Sequence, residues 1–136
     1  MSIAREMERS WSRMSWQAEI ERGYELYRQG EHREVLKRFA RLRLEYPDVA
    51  QVWNESAGMH DRMGFEEDAA PLYERALALG LEGEELVDCL ICLGSTYRNL
   101  GRGGDAVRLL GQALLHESKD AKLQGYHRAL GVYFGN

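Results

Sequence analysis

Three glycines set the geometry of this chain. Gly30 and Gly64 lie 34 residues apart, and Gly64 and Gly101 lie 37 apart. Around each glycine the same apolar frame recurs. The clearest copy reads Leu90-x-x-Leu93-Gly94-x-x-Tyr97, then Gly101, then Ala106-x-x-x-Leu110-x-x-Ala113. An earlier copy reads Trp53-x-x-Ser56-Ala57-x-x-His60, Gly64, Ala69-x-x-x-Tyr73-x-x-Ala76. The first reads Gly23-x-x-Leu26, Gly30, Val35-x-x-x-Phe39-x-x-Leu42 and closes at Pro47. A fourth begins at His127-x-x-Leu130-Gly131-x-x-Phe134 and has no second half. A period of this length describes a chain built from stacked units, none of which can bury its apolar face alone.

Each unit has the spacing of two helices with a glycine between them. Apolar residues three and four apart share one helical face. A glycine just past a helix end accepts the left-handed conformation at little steric cost. Small residues such as Gly94, Ala106 and Ala113 suit places where helices approach closely, and Tyr97 and Leu110 fill the space between. The helices fall at 16–29, 32–46, 50–63, 66–80, 84–100, 103–117 and 119–134. The longer second interval implies about one extra helical turn near Leu81 to Glu85. Pro71 lacks a backbone donor, so the fourth helix either starts near Asp68 or bends at Pro71. Before Trp16, residues Ile3, Met7, Trp11 and Met14 recur at helical spacing, so residues 1–15 read as a helical extension or a tail.

The frame resembles the tetratricopeptide repeat, in which Trp, Leu-Gly, Tyr, Ala, aromatic, Ala and Pro positions recur in this order. The stretch from Gly94 to Gly101 is similar to small bacterial members of that family. The resemblance implies an all-α fold, a right-handed superhelical stack of antiparallel helix pairs. It comprises repeats over about 16–49, 50–83 and 87–120 and a partial one over 121–136 acting as a capping helix. It also implies that the first helix of each pair lines a concave surface where partners lie. By frame this surface carries Gln17, Ile20, Tyr24, Tyr27 and Arg28 from the first copy, and Gln51, Asn54, Asp61 and Arg62 from the second. The third supplies Asp88, Ile91, Ser95, Arg98 and Asn99, and the fourth Arg128. Of these, Tyr24, Tyr27, Arg28, Asn54, Arg62, Arg98, Asn99 and Arg128 are the candidate binding residues. Tyrosines give flat contact area with a polar tip. Asparagines bond to extended backbone, and arginines grip carboxylates through paired hydrogen bonds. The expected partner is therefore a protein or peptide segment carrying acidic groups. Chaperone adaptors of this family clamp a terminal carboxylate with lysine and asparagine where this chain has Ile20 and Tyr24, so that function does not carry over.

Other chemistry is poorly supported. Net charge is −4, which disfavours a general nucleic-acid binder, although 15 of the 18 basic residues are arginine and leave nucleic-acid binding as an alternative. The run Arg33, Lys37, Arg38, Arg41 and Arg43 reads as a solvated outer face. Cys89-x-x-Cys92 lies within a helix and has no second cysteine pair, so it reads as packing rather than a zinc or redox site. His32, His60, His116 and His127 lack close metal-ligand spacing; His60 fills a tyrosine slot and His32 follows a turn. Gly101-Arg102-Gly103-Gly104 has no strand before it and reads as a connector, and Glu66-Glu67 and Glu84-Glu85 suit helix starts. The chain is expected to be a non-enzymatic scaffold without cofactor or metal. No apolar run approaches the roughly 18–20 residues of a membrane span, and the N-terminus lacks a signal-type apolar stretch, so the expected location is the cytoplasm. Leu123, Tyr126, Leu130 and Phe134 form an apolar face that either caps the stack or pairs with a second copy, a homodimer being the alternative.

Overall fold

The computed structural model describes residues 15–116, with nothing described of the side chains of the last two. Six helices follow one another: α1 Trp16–Arg28, α2 His32–Glu45, α3 Ala50–Arg62, α4 Glu66–Leu79, α5 Gly83–Asn99 and α6 Gly103–His116. No strand occurs among the described residues. The expected N-terminal extension and the seventh helix at 119–134 lie outside them.

The three glycine turns close in the same way. Gly30, Gly64 and Gly101 have φ of +82°, +83° and +78°. Each glycine N–H donates to the carbonyl three residues back, on Tyr27, Asp61 and Arg98. The next N–H, on Glu31, Phe65 and Arg102, reaches five back to Leu26, His60 and Tyr97. This double closure satisfies the orphan carbonyls at a helix end and needs a left-handed residue. The carbonyls of Glu31, Phe65 and Arg102 then accept from Val35, Ala69 and Ala106, so the residue that ends one helix opens the next.

The extra turn resides in α5, which has 17 residues where α1 and α3 have 13. It precedes Leu86, so the pairing of α5 with α6 keeps its frame. The fourth helix begins at Glu66, not near Asp68, and its helical assignment is unbroken through Pro71. Pro71 and Glu67 are both exposed, so the carbonyl that loses its donor sits on the watered side of the helix.

Two apolar clusters hold the stack. Ile20, Leu26, Val35, Phe39 and Leu42 of the first pair enclose Val52 and Met59 of α3. Ala57, Ala69, Ala70, Tyr73 and Ala76 of the second pair enclose Cys89, Leu93 and Tyr97 of α5. Each pair is therefore covered by the first helix of the next. Consecutive first helices, α1 with α3 and α3 with α5, also touch, whereas α2 and α4, and α4 and α6, do not. Contact along one edge only curves the stack, with α1, α3 and α5 on its inner side. This is the expected solenoid of antiparallel helix pairs.

The basic run on α2 departs from expectation. Arg33 and Lys37 are exposed, but Arg38 is only 7% exposed and bonds Glu19 of α1 at 2.5 Å. Arg41 reaches the same carboxylate at 3.4 Å and Glu45 at 3.4 Å. Arg43 lies over Trp53, whose other flank meets Arg75; both guanidinium carbons are 5.8 Å from the ring centroid. Only part of the run faces solvent; the rest holds the first pair together and joins α2 to α3.

Candidate concave binding surface

Tyr24 of α1 and two residues of α3 form the first cluster on the inner side. The Tyr24 hydroxyl donates to Glu55, its ring meets Phe39 edge-on at 6.4 Å, and the Arg62 guanidinium lies 5.5 Å above it. Burial, reinforced by the Glu55 carboxylate, pushes the phenol well above its ordinary range. Tyr24 thus remains a neutral donor. Arg62 itself is exposed, with its charge presented over an aromatic floor.

Farther along, α4 contributes from behind. Tyr73 passes Gly58, where an added Cβ would sit 3.9 Å from its hydroxyl, and donates to Asp61 at 3.1 Å. Cys92 of α5 adjoins the same hydroxyl, and burial raises its thiol pKa. Cys89 is buried outright, with its Sγ 3.8 Å from the Tyr73 carbonyl, and burial followed by the influence of Cys92 pushes its pKa up to about 12. Neither thiol is an activated nucleophile. Among the described residues, no group of three or more His, Cys, Asp or Glu could hold a metal ion.

The eight candidate residues separate in the structure. Tyr24 and Arg62 come together as described. Asn54 is half-buried one turn before Gly58, and its amide has no partner among the described residues, which leaves both ends of it available. Arg28 and Arg98 are exposed, and Arg98 borders an apolar recess at the C-terminal end of the surface. Tyr27 instead stacks on His32 across the first turn, with centroids 5.0 Å apart and planes 12° from parallel. Asn99 donates to Glu66 at 2.6 Å, tying α5 to the start of α4. Arg128 lies outside the described residues.

Sequence reasoning missed Glu55, which orients Tyr24, and Tyr73, whose buried hydroxyl holds Asp61 from a second helix. Glu55 carried a signal, since it precedes Arg62 by seven residues and so shares its helical face. Tyr73 carried none, because an aromatic at its slot reads as core. His60 packs as expected, half-buried with Nδ1 2.7 Å from the Ser56 carbonyl.

Residues 50–134, more than half of the chain, match the family described as Tetratrico peptide repeat. The crystal structure of MamA superposes with a TM-score of 0.66 at 21% identity, covering 79% of this chain and 61% of MamA. That of YrrB, described as a TPR protein with an unusual peptide-binding site, gives 0.63 at 18% identity, covering 76% of this chain and 52% of YrrB. The chain thus matches only about half to three-fifths of those two structures, and at these identities the likeness is one of fold. Among curated proteins none matches.

Proposed function

The chain belongs to the tetratricopeptide repeat family, and we propose that it is a non-enzymatic scaffold that holds an extended, acidic protein segment along its concave surface. The observation that carries this reading is the Tyr24–Glu55–Arg62 cluster beside the unpartnered Asn54 amide. Arg62 is raised over a fixed aromatic ring, where a carboxylate can approach it without first displacing water from a buried site. Asn54 offers a donor and an acceptor to a passing backbone. Arg28 and Arg98 add exposed cations on either side. The carboxylates Glu55 and Asp61 already accept from tyrosine hydroxyls, which fixes their place in the surface.

Arg38, Arg41 and Arg43 meet Glu19, Glu45 and Trp53, which withdraws much of the α2 basic run from a nucleic-acid partner. No described helix is long and apolar enough to cross a membrane. The two cysteines are unpaired thiols, which suits a reducing cytoplasm.

The test is replacement of Asn54, Arg62 and Arg98 together by alanine, followed by affinity capture from source lysate. The expected result is loss of the captured protein with an unchanged helical circular-dichroism spectrum. Undiminished capture by the triple variant contradicts the reading.

A further inference from the structure

A glycine in a helix interior weakens the helix relative to alanine, so its presence needs a reason. Gly23 of α1 and Gly94 of α5 have one in packing. A Cβ on Gly23 would lie 2.6 Å from the Phe39 ring, and one on Gly94 would lie 3.2 Å from Leu110. Gly58, in the middle of α3, has no such reason. A Cβ there would meet nothing nearer than the Tyr73 hydroxyl at 3.9 Å, an ordinary contact distance. Its φ is not in the left-handed range either. Gly58 is half-buried on the inner side, while its neighbours Ala57 and Met59 are fully buried. Folding leaves this glycine unexplained. Close approach of a bound molecule to the backbone is the other circumstance that requires one.

The residues one turn away describe what approaches. Asn54 and Glu55 precede Gly58 by four and three residues, and Asp61 and Arg62 follow it by three and four. All four therefore border it on the helix surface. The Tyr24 hydroxyl holds Glu55, and the Tyr73 hydroxyl holds Asp61. A phenol supplies a hydrogen bond but no positive charge, and neither carboxylate forms an ion pair among the described residues. Arg62 leans over the Tyr24 ring instead. Cys92 of α5 senses the resulting field. Besides burial, the Asp61 and Asp88 carboxylates raise its thiol pKa, and Arg62 opposes them less strongly. The middle of the concave surface is thus negative, although its arginines are the groups that suit an acidic segment.

We propose that Gly58 is the seat of one basic side chain, lysine or arginine, of the bound segment. The methylenes of that side chain lie on the bare backbone of α3, where a Cβ would hold them off. Its cationic head reaches Asp61 or Glu55, whose positions the two tyrosines have already fixed. Gly58 then determines specificity by shape, admitting a long unbranched side chain, and the carboxylates determine it by charge. The proposal rests on the reading of the concave surface as the binding surface for an acidic segment, and it refines that reading. Acidic residues of the segment meet Arg62 and Arg98, and a single basic residue among them meets Gly58.

Peptides selected from a random display library against the full chain, then synthesised and titrated by isothermal calorimetry, test this. The selected peptides should share a lysine or arginine at one fixed place among acidic residues. Replacing that residue by norleucine, which keeps the stem and removes the charge, should weaken binding at least tenfold. Gly58→Ala should weaken binding of the parent peptides about tenfold. Its urea-unfolding midpoint should stand at or above that of the unsubstituted chain, so that affinity falls while stability holds. Asp61→Asn should weaken the lysine peptide more than its norleucine counterpart. Binding indifferent to Gly58→Ala or to norleucine overturns the proposal, as does a lowered midpoint for Gly58→Ala, which would give the glycine a role in the fold. If such peptides still lose affinity on Arg62→Ala with Arg98→Ala, the acidic-segment reading stands without the basic seat. Peptides indifferent to those arginines as well, or no selected peptide at all, contradict both.

Discussion

Glu19 of α1 and Arg38 of α2 meet at 2.5 Å with 4% and 7% of their side chains exposed. A charge so withdrawn from water is tolerable only with its partner. Removing one member takes the nearest opposite charge away from a group that stays buried, at a typical cost of about 3–5 kcal/mol, whereas an apolar pair of similar volume is often neutral or better. Glu19→Ala should therefore lower the urea-unfolding free energy by about that amount. Glu19→Leu combined with Arg38→Met should recover much of it, since only Arg41 then lacks the carboxylate.

Glycine positions inside helices should differ in sign. A Cβ on Gly23 would lie 2.6 Å from the Phe39 ring, which is fully buried and cannot withdraw. Gly23→Ala should cost about 1–3 kcal/mol, the usual penalty of overpacking. A Cβ on Gly58 meets only the Tyr73 hydroxyl at 3.9 Å. Gly58→Ala should be neutral or stabilising by up to about 1 kcal/mol from helix propensity. Denaturant midpoints of the two variants against the parent measure the contrast.

Alkaline stability should report Tyr97. Burial and the Glu74 carboxylate, which its hydroxyl meets at 2.5 Å, push its pKa up to about 12 from an ordinary 10.0. The folded state therefore favours the protonated phenol. The stability this contributes is complete below the unfolded value and is lost as pH rises from there through the folded one. Tyr97→Phe should be less stable at neutral pH by roughly 1 kcal/mol for the lost hydrogen bond. It should also lose less stability than the parent as pH rises from about 10 to about 12. Thermal melting at a series of alkaline pH values distinguishes the slopes.

The thiols should behave as packing groups. Burial raises both, Cys89 to about 12. Reaction with a thiol-specific reagent at about pH 8 should be slow in the folded protein and fast in urea, because the thiolate is the nucleophile. A fast folded-state reaction at Cys89 would contradict its place in the core.

Much of the architecture was legible in the chain. The turn glycines have one conformational requirement and no partner requirement, so their spacing alone located three helix pairs. The extra turn of α5 followed from the 37-residue interval. Side-chain partnerships were less legible, because they depend on which helices meet. Arg38 looked like part of a solvated charge run until α1 brought Glu19 against it. Asn99 looked like a groove residue until α4 placed Glu66 beside it. Tyr73 occupies a slot that reads as core and is core, but its buried hydroxyl passes Gly58 to hold Asp61. A periodic pattern specifies the faces of helices, while polar tips and charged ends are set by neighbours that are distant in sequence.

The proposed role of the concave surface is to bind an acidic segment through its arginines. Selection of a random peptide display library against the protein tests it most directly, with each selected peptide then titrated by fluorescence anisotropy. Selected peptides should be rich in aspartate and glutamate. Their affinity should fall at least tenfold on Arg62→Ala with Arg98→Ala, a loss of about 1.4 kcal/mol or more. It should be unchanged by Leu44→Ala on the outer helix α2, where Leu44 is 83% exposed. Peptides without acidic residues, or binding indifferent to both arginines, would contradict that role.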